Sequence, residues 1–119
     1  MLSQTQQIRP QKKIVSLRSK DFQSFFKNAK KIPTPLASFY IKVNQLNLAR
    51  LGIVVKKSFV KSAVKRNRIK RVVRAYYRSK IANFVGYDLV VIINKPKNKE
   101  AIHSFRSDLV KQWSKLDAF

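Results

Sequence analysis

Cysteine is absent from this 119-residue chain, glycine occurs twice, histidine once, and aspartate and glutamate together five times. Without cysteine there is no disulfide scaffold and no cysteine-ligated zinc. Two glycines, Gly52 and Gly86, cannot build a Gly-x-Ser-x-Gly nucleophile elbow or a glycine loop that cradles phosphate. The five acids are Asp21, Asp88, Glu100, Asp108 and Asp117. No two of them form a recognisable ligand motif, so a two-metal nuclease is not expected. His103 has no evident partner to make it a general base and reads as structural or solvent-exposed. No apolar run approaches the ~20 residues that span a bilayer. Residues 1–13 are polar and basic without the apolar core of a secretory signal. These absences predict a cytoplasmic protein with no catalytic residue, no metal site of its own, no membrane partner and no small-molecule substrate.

Positive charge is what the chain has in excess. Lysine and arginine number 27, the formal net charge is +22 and the pI is about 11.0. A hydrophobic content of 45% fits a folded domain rather than a basic tail. Such a field repels itself, so the working partner should be a polyanion, with nucleic acid ahead of an anionic membrane surface. The charge concentrates in residues 65–78, KRNRIKRVVRAYYR. At about 100° per residue, Val72, Val73 and Tyr76 fall beside Ile69, while Asn67, Lys70, Arg71, Arg74 and Arg78 fall opposite. A merely solvated helix would carry acids as i,i+4 partners of its bases. There is none between Lys56 and Lys80.

Along the chain, residues 1–14 read as a loose lead. Ser19 can cap a first helix, with Asp21 in its first turn. Phe22, Phe25 and Phe26 follow on one stripe, Ala29 extends it, and the helix should run to about Lys30. Pro33 and Pro35 stop it. Residues 37–44 alternate as a strand, with Ala37, Phe39, Ile41 and Val43 on one face and Tyr40 and Lys42 on the wetter one. Residues 50–56 form the next strand, and the two are expected to pair antiparallel. Ser62 is a plausible N-cap for the basic helix, which should end near Ile81 or Ala82. Gly86 turns the chain into residues 87–94, YDLVVIIN, apolar on both faces as a central strand would be. Pro96 breaks it. Asn98 can cap a last helix whose apolar positions are Ile102, Phe105, Leu109, Trp113 and Leu116. Ser16 and Leu17 or their neighbours can add a sheet edge. The fold class is α+β: a two-layer sandwich in which helices pack a small mixed sheet, in one RNA-binding domain over residues 1–119.

If the first helix packs beside the sheet, Phe22, Phe26, Tyr40 and Lys42 can border one groove. Aromatic faces stack unpaired bases while lysines follow the backbone. The plain alternative makes Phe22, Phe25 and Phe26 core residues, most readily Phe25.

The block KRNRIKRVVR (65–74) resembles the signature of the bacterial ribonuclease P protein family, with its Arg-Asn-Arg at Arg66, Asn67 and Arg68. RLGIVVKK (50–57) precedes it, KDFQSFF (20–26) lies upstream, and YDLVVIINK (87–95) and a tryptophan-bearing helix follow, so the resemblance covers roughly 17–116. It implies a protein that binds a catalytic RNA and the 5′ leader of precursor tRNA, while the RNA uses Mg2+ to cut the leader away. It implies that Arg66, Asn67, Arg68, Lys70, Arg71 and Arg74 face the catalytic RNA. It implies a leader cleft of Phe22, Phe26, Tyr40 and Lys42 with Lys57. It also implies a left-handed crossover around the signature helix, against the general right-handed rule. The chain departs from the pattern at Ser58, where a second lysine is usual, with Lys56 or Lys61 as possible substitutes, and near Ala29, where a glycine is common. The alternative reading of the charge alone is a ribosomal or general RNA-chaperone protein.

Overall fold

The computed structural model describes residues 11–17, 19–95 and 105–117. In chain order these form β1 (Val15–Ser16), α1 (Ser19–Phe25), β2 (Lys30–Pro33), β3 (Ala37–Val43), β4 (Arg50–Val54), α2 (Ala63–Ser79), a 3-10 turn (Ile81–Phe84), β5 (Tyr87–Ile93) and α3 (Phe105–Asp117). The expectations for Pro96, Asn98, Glu100, Ile102 and His103, and for the first ten residues of the lead, lie outside the described residues.

β5 is the centre of the molecule. The strand order is β1-β4-β5-β3-β2, with β4 parallel and β3 antiparallel to β5. Leu89, Val91 and Ile93 point to one face and Val90 and Ile92 to the other, so the strand is satisfied only with a neighbour on each side and cover on both faces. This overturns the expected pairing of β3 with β4. The link between them does reverse the chain, but Gly86 occupies its mouth. The Asn44 N–H donates to the Gly86 carbonyl at 2.9 Å, and the Gly86 N–H donates to the Leu48 carbonyl at 3.0 Å. Gly86 adopts φ +91°, a conformation that strains any residue with a Cβ. β5 therefore enters between the two strands rather than beside them.

Two further expectations change. α1 ends at Phe25 rather than near Lys30, because residues 30–33 form an edge strand instead, with Lys31 opposite Tyr40 and Ile32 opposite Phe39. Pairing with β3 gives this segment backbone partners that one more helical turn would have forfeited. Pro33 is tolerated because the strand lies at the edge. The possible extra edge near Ser16 and Leu17 is present as β1, parallel to β4.

α2 and α3 form the second layer of the sandwich. They bury Ile69, Val73, Tyr77, Phe105, Leu109, Trp113 and Leu116 against Phe39, Leu51, Leu89, Val91 and Ile93. The buried stripe of α2 is turned slightly from expectation, with Tyr77 at its centre and Val72 and Tyr76 half-buried at its margin. Ser62 caps α2, its Oγ accepting from the Lys65 N–H at 3.3 Å. The helix stops at Ser79 and tightens into the 3-10 turn that seats Ile81 and Phe84. Trp113 packs edge-on to Phe39, with ring centroids 5.3 Å apart, and against Tyr76 at 5.0 Å. The short α1 lies on part of the opposite sheet face, where Leu17, Phe25 and Val90 are buried together.

The Tyr77 hydroxyl is buried without a hydrogen-bond partner among the described residues. Burial pushes its pKa up, so it holds its proton. A buried hydroxyl with no partner loses its hydration and gains nothing in return. Tyr77→Phe is therefore expected to leave stability unchanged or raise it by up to about 1 kcal/mol in urea unfolding. A clear loss would point to a buried hydrogen-bond partner.

Candidate nucleic-acid interface

The face of the sheet that carries α1 is a cleft floored by one row of residues. Strand registers place Gly52, Val90, Tyr40 and Lys31 side by side across β4, β5, β3 and β2. Directly paired residues share a face, so these four side-chain positions line the same surface. Gly52 lets α1 come close: a Cβ there would lie 2.9 Å from the Phe22 ring. Phe25, as the core alternative held, is buried. Phe26 is 40% exposed and meets Tyr40 edge to face, with centroids 5.0 Å apart, and Phe22 lies 6.5 Å from Phe26. Lys42 Nζ donates to the Ser24 carbonyl at 3.3 Å, and Lys31 Nζ stands 5.7 Å from the Tyr40 ring centre.

Phe22, Phe26, Tyr40 and Lys42 are thus brought together. Lys57 is exposed in the turn beyond the end of β4, and no hydrogen bond or ring contact joins it to them. Ser58 is exposed beside it, while Lys56 Nζ lies 5.2 Å from the Phe59 ring.

The α2 cations do not form one stripe. Arg66 is half-buried, and its Nη1 donates to the Val60 and Lys61 carbonyls, each at 2.9 Å. Part of that guanidinium therefore holds the loop entering the helix. Arg68 and Arg71 line a groove toward α3, with Val72, Ala75, Phe105 and Arg106. Arg74 turns the other way, into a recess at the sheet edge shared with Ser16, Phe22, Gly52 and Ile53. By helical geometry Asn67 and Lys70 fall on the Arg74 side. That recess connects the basic helix with the aromatic cleft.

A polar knot closes one end of the cleft. Arg50 donates to both oxygens of Asp88, Nε at 2.8 Å and Nη2 at 2.7 Å, and Asn44 Nδ2 adds a bond at 2.9 Å. The hydrogen bonds to Asp88 raise the Arg50 pKa further. Asp88 is committed to fold, and the described residues include no group of three or more His, Cys, Asp or Glu side chains able to hold a metal ion. Sequence reasoning missed Lys31, the close approach at Gly52, and Arg106. Only Gly52 left a signal, as a glycine inside an apolar strand pattern.

Residues 11–117 match the ribonuclease P family. The ribonuclease P protein component of Aliivibrio salmonicida is 34% identical over 100 residues, covering 84% of this chain and 86% of that one. The ribonuclease P protein component of Legionella pneumophila has the same identity over the same length. The solved ribonuclease P protein of Thermotoga maritima is 30% identical with a TM-score of 0.69, covering 85% of this chain and 93% of that one. That of Staphylococcus aureus, at 24% identity and TM-score 0.74, covers 87% and 96% and shares the fold. A basic helix that carries Arg-Asn-Arg in its first two turns, an aromatic cleft beside it and these matches across nearly the whole chain lead to one statement: the chain belongs to the ribonuclease P protein family.

Proposed function

We propose that this chain is an RNA-binding subunit that serves an RNA catalyst, holding the catalytic RNA with α2 and the 5′ leader of precursor tRNA in the α1–sheet cleft. The catalytic groups and the Mg2+ ions belong to the RNA, and the work is done in the cytoplasm by one RNA-binding domain. The observation that carries this reading is the pairing of Phe26 with Tyr40 beside Lys31 and Lys42. An aromatic pair with Phe26 exposed and Tyr40 half-buried, flanked by ammonium groups, suits a single strand, whose bases stack while its phosphates meet the lysines. A double helix offers no free base faces to such a cleft. Phe22 supports the aromatic wall, Lys57 extends the cationic path beyond the end of β4, and Arg66, Asn67, Arg68, Lys70, Arg71 and Arg74 face the catalytic RNA. In physical terms the protein neutralises phosphates where the RNA and its substrate crowd together, and donates no catalytic group.

The test mixes the full chain with catalytic RNA and precursor tRNA at low Mg2+. Site-specific 5′ cleavage is expected to rise, and no rise would sink the proposal. Phe26→Ala should weaken precursor tRNA by about 5- to 150-fold, the worth of one stacked base. Mature tRNA should bind as before, since it has no leader. Equal losses for both would favour a general RNA chaperone.

A further inference from the structure

We infer that the groove between α2 and α3 is a second RNA site, which seats one unstacked nucleotide of the catalytic RNA. The inference rests on the proposed function and adds a site on the opposite side of the sheet from the leader cleft. The groove encloses about 470 Å³, within the roughly 300–1,000 Å³ typical of clefts that hold small organic groups. Its floor is apolar, with Ile69, Val72, Ala75 and Phe105, and its rim carries Arg68, Arg71 and Arg106. No acid is among the described residues that line it.

Two features select the occupant. Three guanidinium groups from two helices call for an anion, and Arg68 and Arg71 continue the cationic face of α2 that the catalytic RNA is proposed to meet. A paired backbone would need only the rim. The apolar floor adds a reason for a base to leave its stack and lie against Val72 and Ala75, with its phosphate on the arginines. Arg106 contributes from α3, so the site exists only when α3 is docked. It makes α3 a part of the RNA surface as well as a cover for the core.

Two substitutions separate the rim from the floor. Arg106 is exposed, so Arg106→Ala removes charge without touching the core. It should weaken catalytic RNA by about tenfold and reduce the salt slope of binding by about 1. Ala75 is also exposed, and Ala75→Phe fills the groove. It should weaken the same RNA by about 5- to 50-fold with the salt slope unchanged, because it excludes a base and leaves every cation in place. The ratio of precursor to mature tRNA affinity should hold in both variants. Unchanged RNA affinity for Arg106→Ala, in a protein whose wild type still stimulates cleavage, would overturn this site while leaving the proposed function standing. A loss for Arg106→Ala with none for Ala75→Phe would reduce the site to a backbone contact and overturn the base seat.

Discussion

Replacing Lys70, Arg71 and Arg74 together by glutamine is expected to lower affinity for the catalytic RNA by on the order of 10²-fold at 0.1 M salt. Each cation that leaves a phosphate also leaves a condensed counterion in place. The log–log salt slope should therefore shrink by about 2 to 3, and the loss should narrow as salt rises. Glutamine keeps the long stem and much of the helix propensity, so the helix itself should survive. The stabilising face of α2 is Ile69, Val73 and Tyr77, and none of these is changed. Arg66 is deliberately left in place, because its bonds to the Val60 and Lys61 carbonyls would mix a folding defect with a binding defect. Filter binding across a salt series, with circular dichroism on the same samples, reads both quantities. A triple variant with normal helicity and an undiminished slope would remove α2 from the RNA face.

Asp88→Ala is expected to destabilise the fold strongly although it removes no apolar core residue. The Asp88 side chain is 8% exposed and satisfies Arg50 and Asn44 at once. Removing it leaves a guanidinium that is 26% exposed without its counter-charge, between β3, β4 and β5. Breaking a buried pair from one side costs about 3–5 kcal/mol, and the partial exposure of Arg50 brings the expectation to roughly 2–3 kcal/mol. For a chain of this size that is a fall in Tm of roughly 10 °C. Replacing both partners, as Arg50→Met with Asp88→Leu, should recover most of the loss, because no charge is then stranded. Thermal unfolding of wild type, Arg50→Met, Asp88→Leu and the double variant forms a double-mutant cycle. If Asp88→Ala melts with wild type, the knot adds nothing to the fold.

The same knot shows why part of the site could not be seen in the chain alone. Arg50 and Asp88 are 38 residues apart, and their meeting depends on β4 lying parallel to β5 in one particular register. Residues 37–44 and 50–56 carry equally good signals for a local hairpin, and a short link favours it. The hairpin loses because β5, apolar on both faces, gains more by lying between them, and Gly86 can take the φ that lets it enter. β2 was invisible for a related reason: Lys30–Pro33 is a strand only because β3 offers it an unpaired edge. Phe22, Phe26, Tyr40 and Lys42 were legible as a group because each follows from a local period, helical for the phenylalanines and alternating for the strand.

What the sequence determined by itself was the class of partner and every α-helix and strand but β2. Charge without acids requires a polyanion, periodicity makes α2 two-faced, and the run 87–94 demands the middle of a sheet. The order Arg66-Asn67-Arg68 pointed to the family. The tertiary structure decided how the cations are shared out. Side chains 100° apart on one helix meet different neighbours, so Arg66 holds a loop, Arg74 turns to the aromatic cleft, and Arg68 and Arg71 join Arg106 from α3. No local pattern contains that division, because it depends on which elements dock on each side of α2, and docking is settled by the apolar faces of the whole sheet.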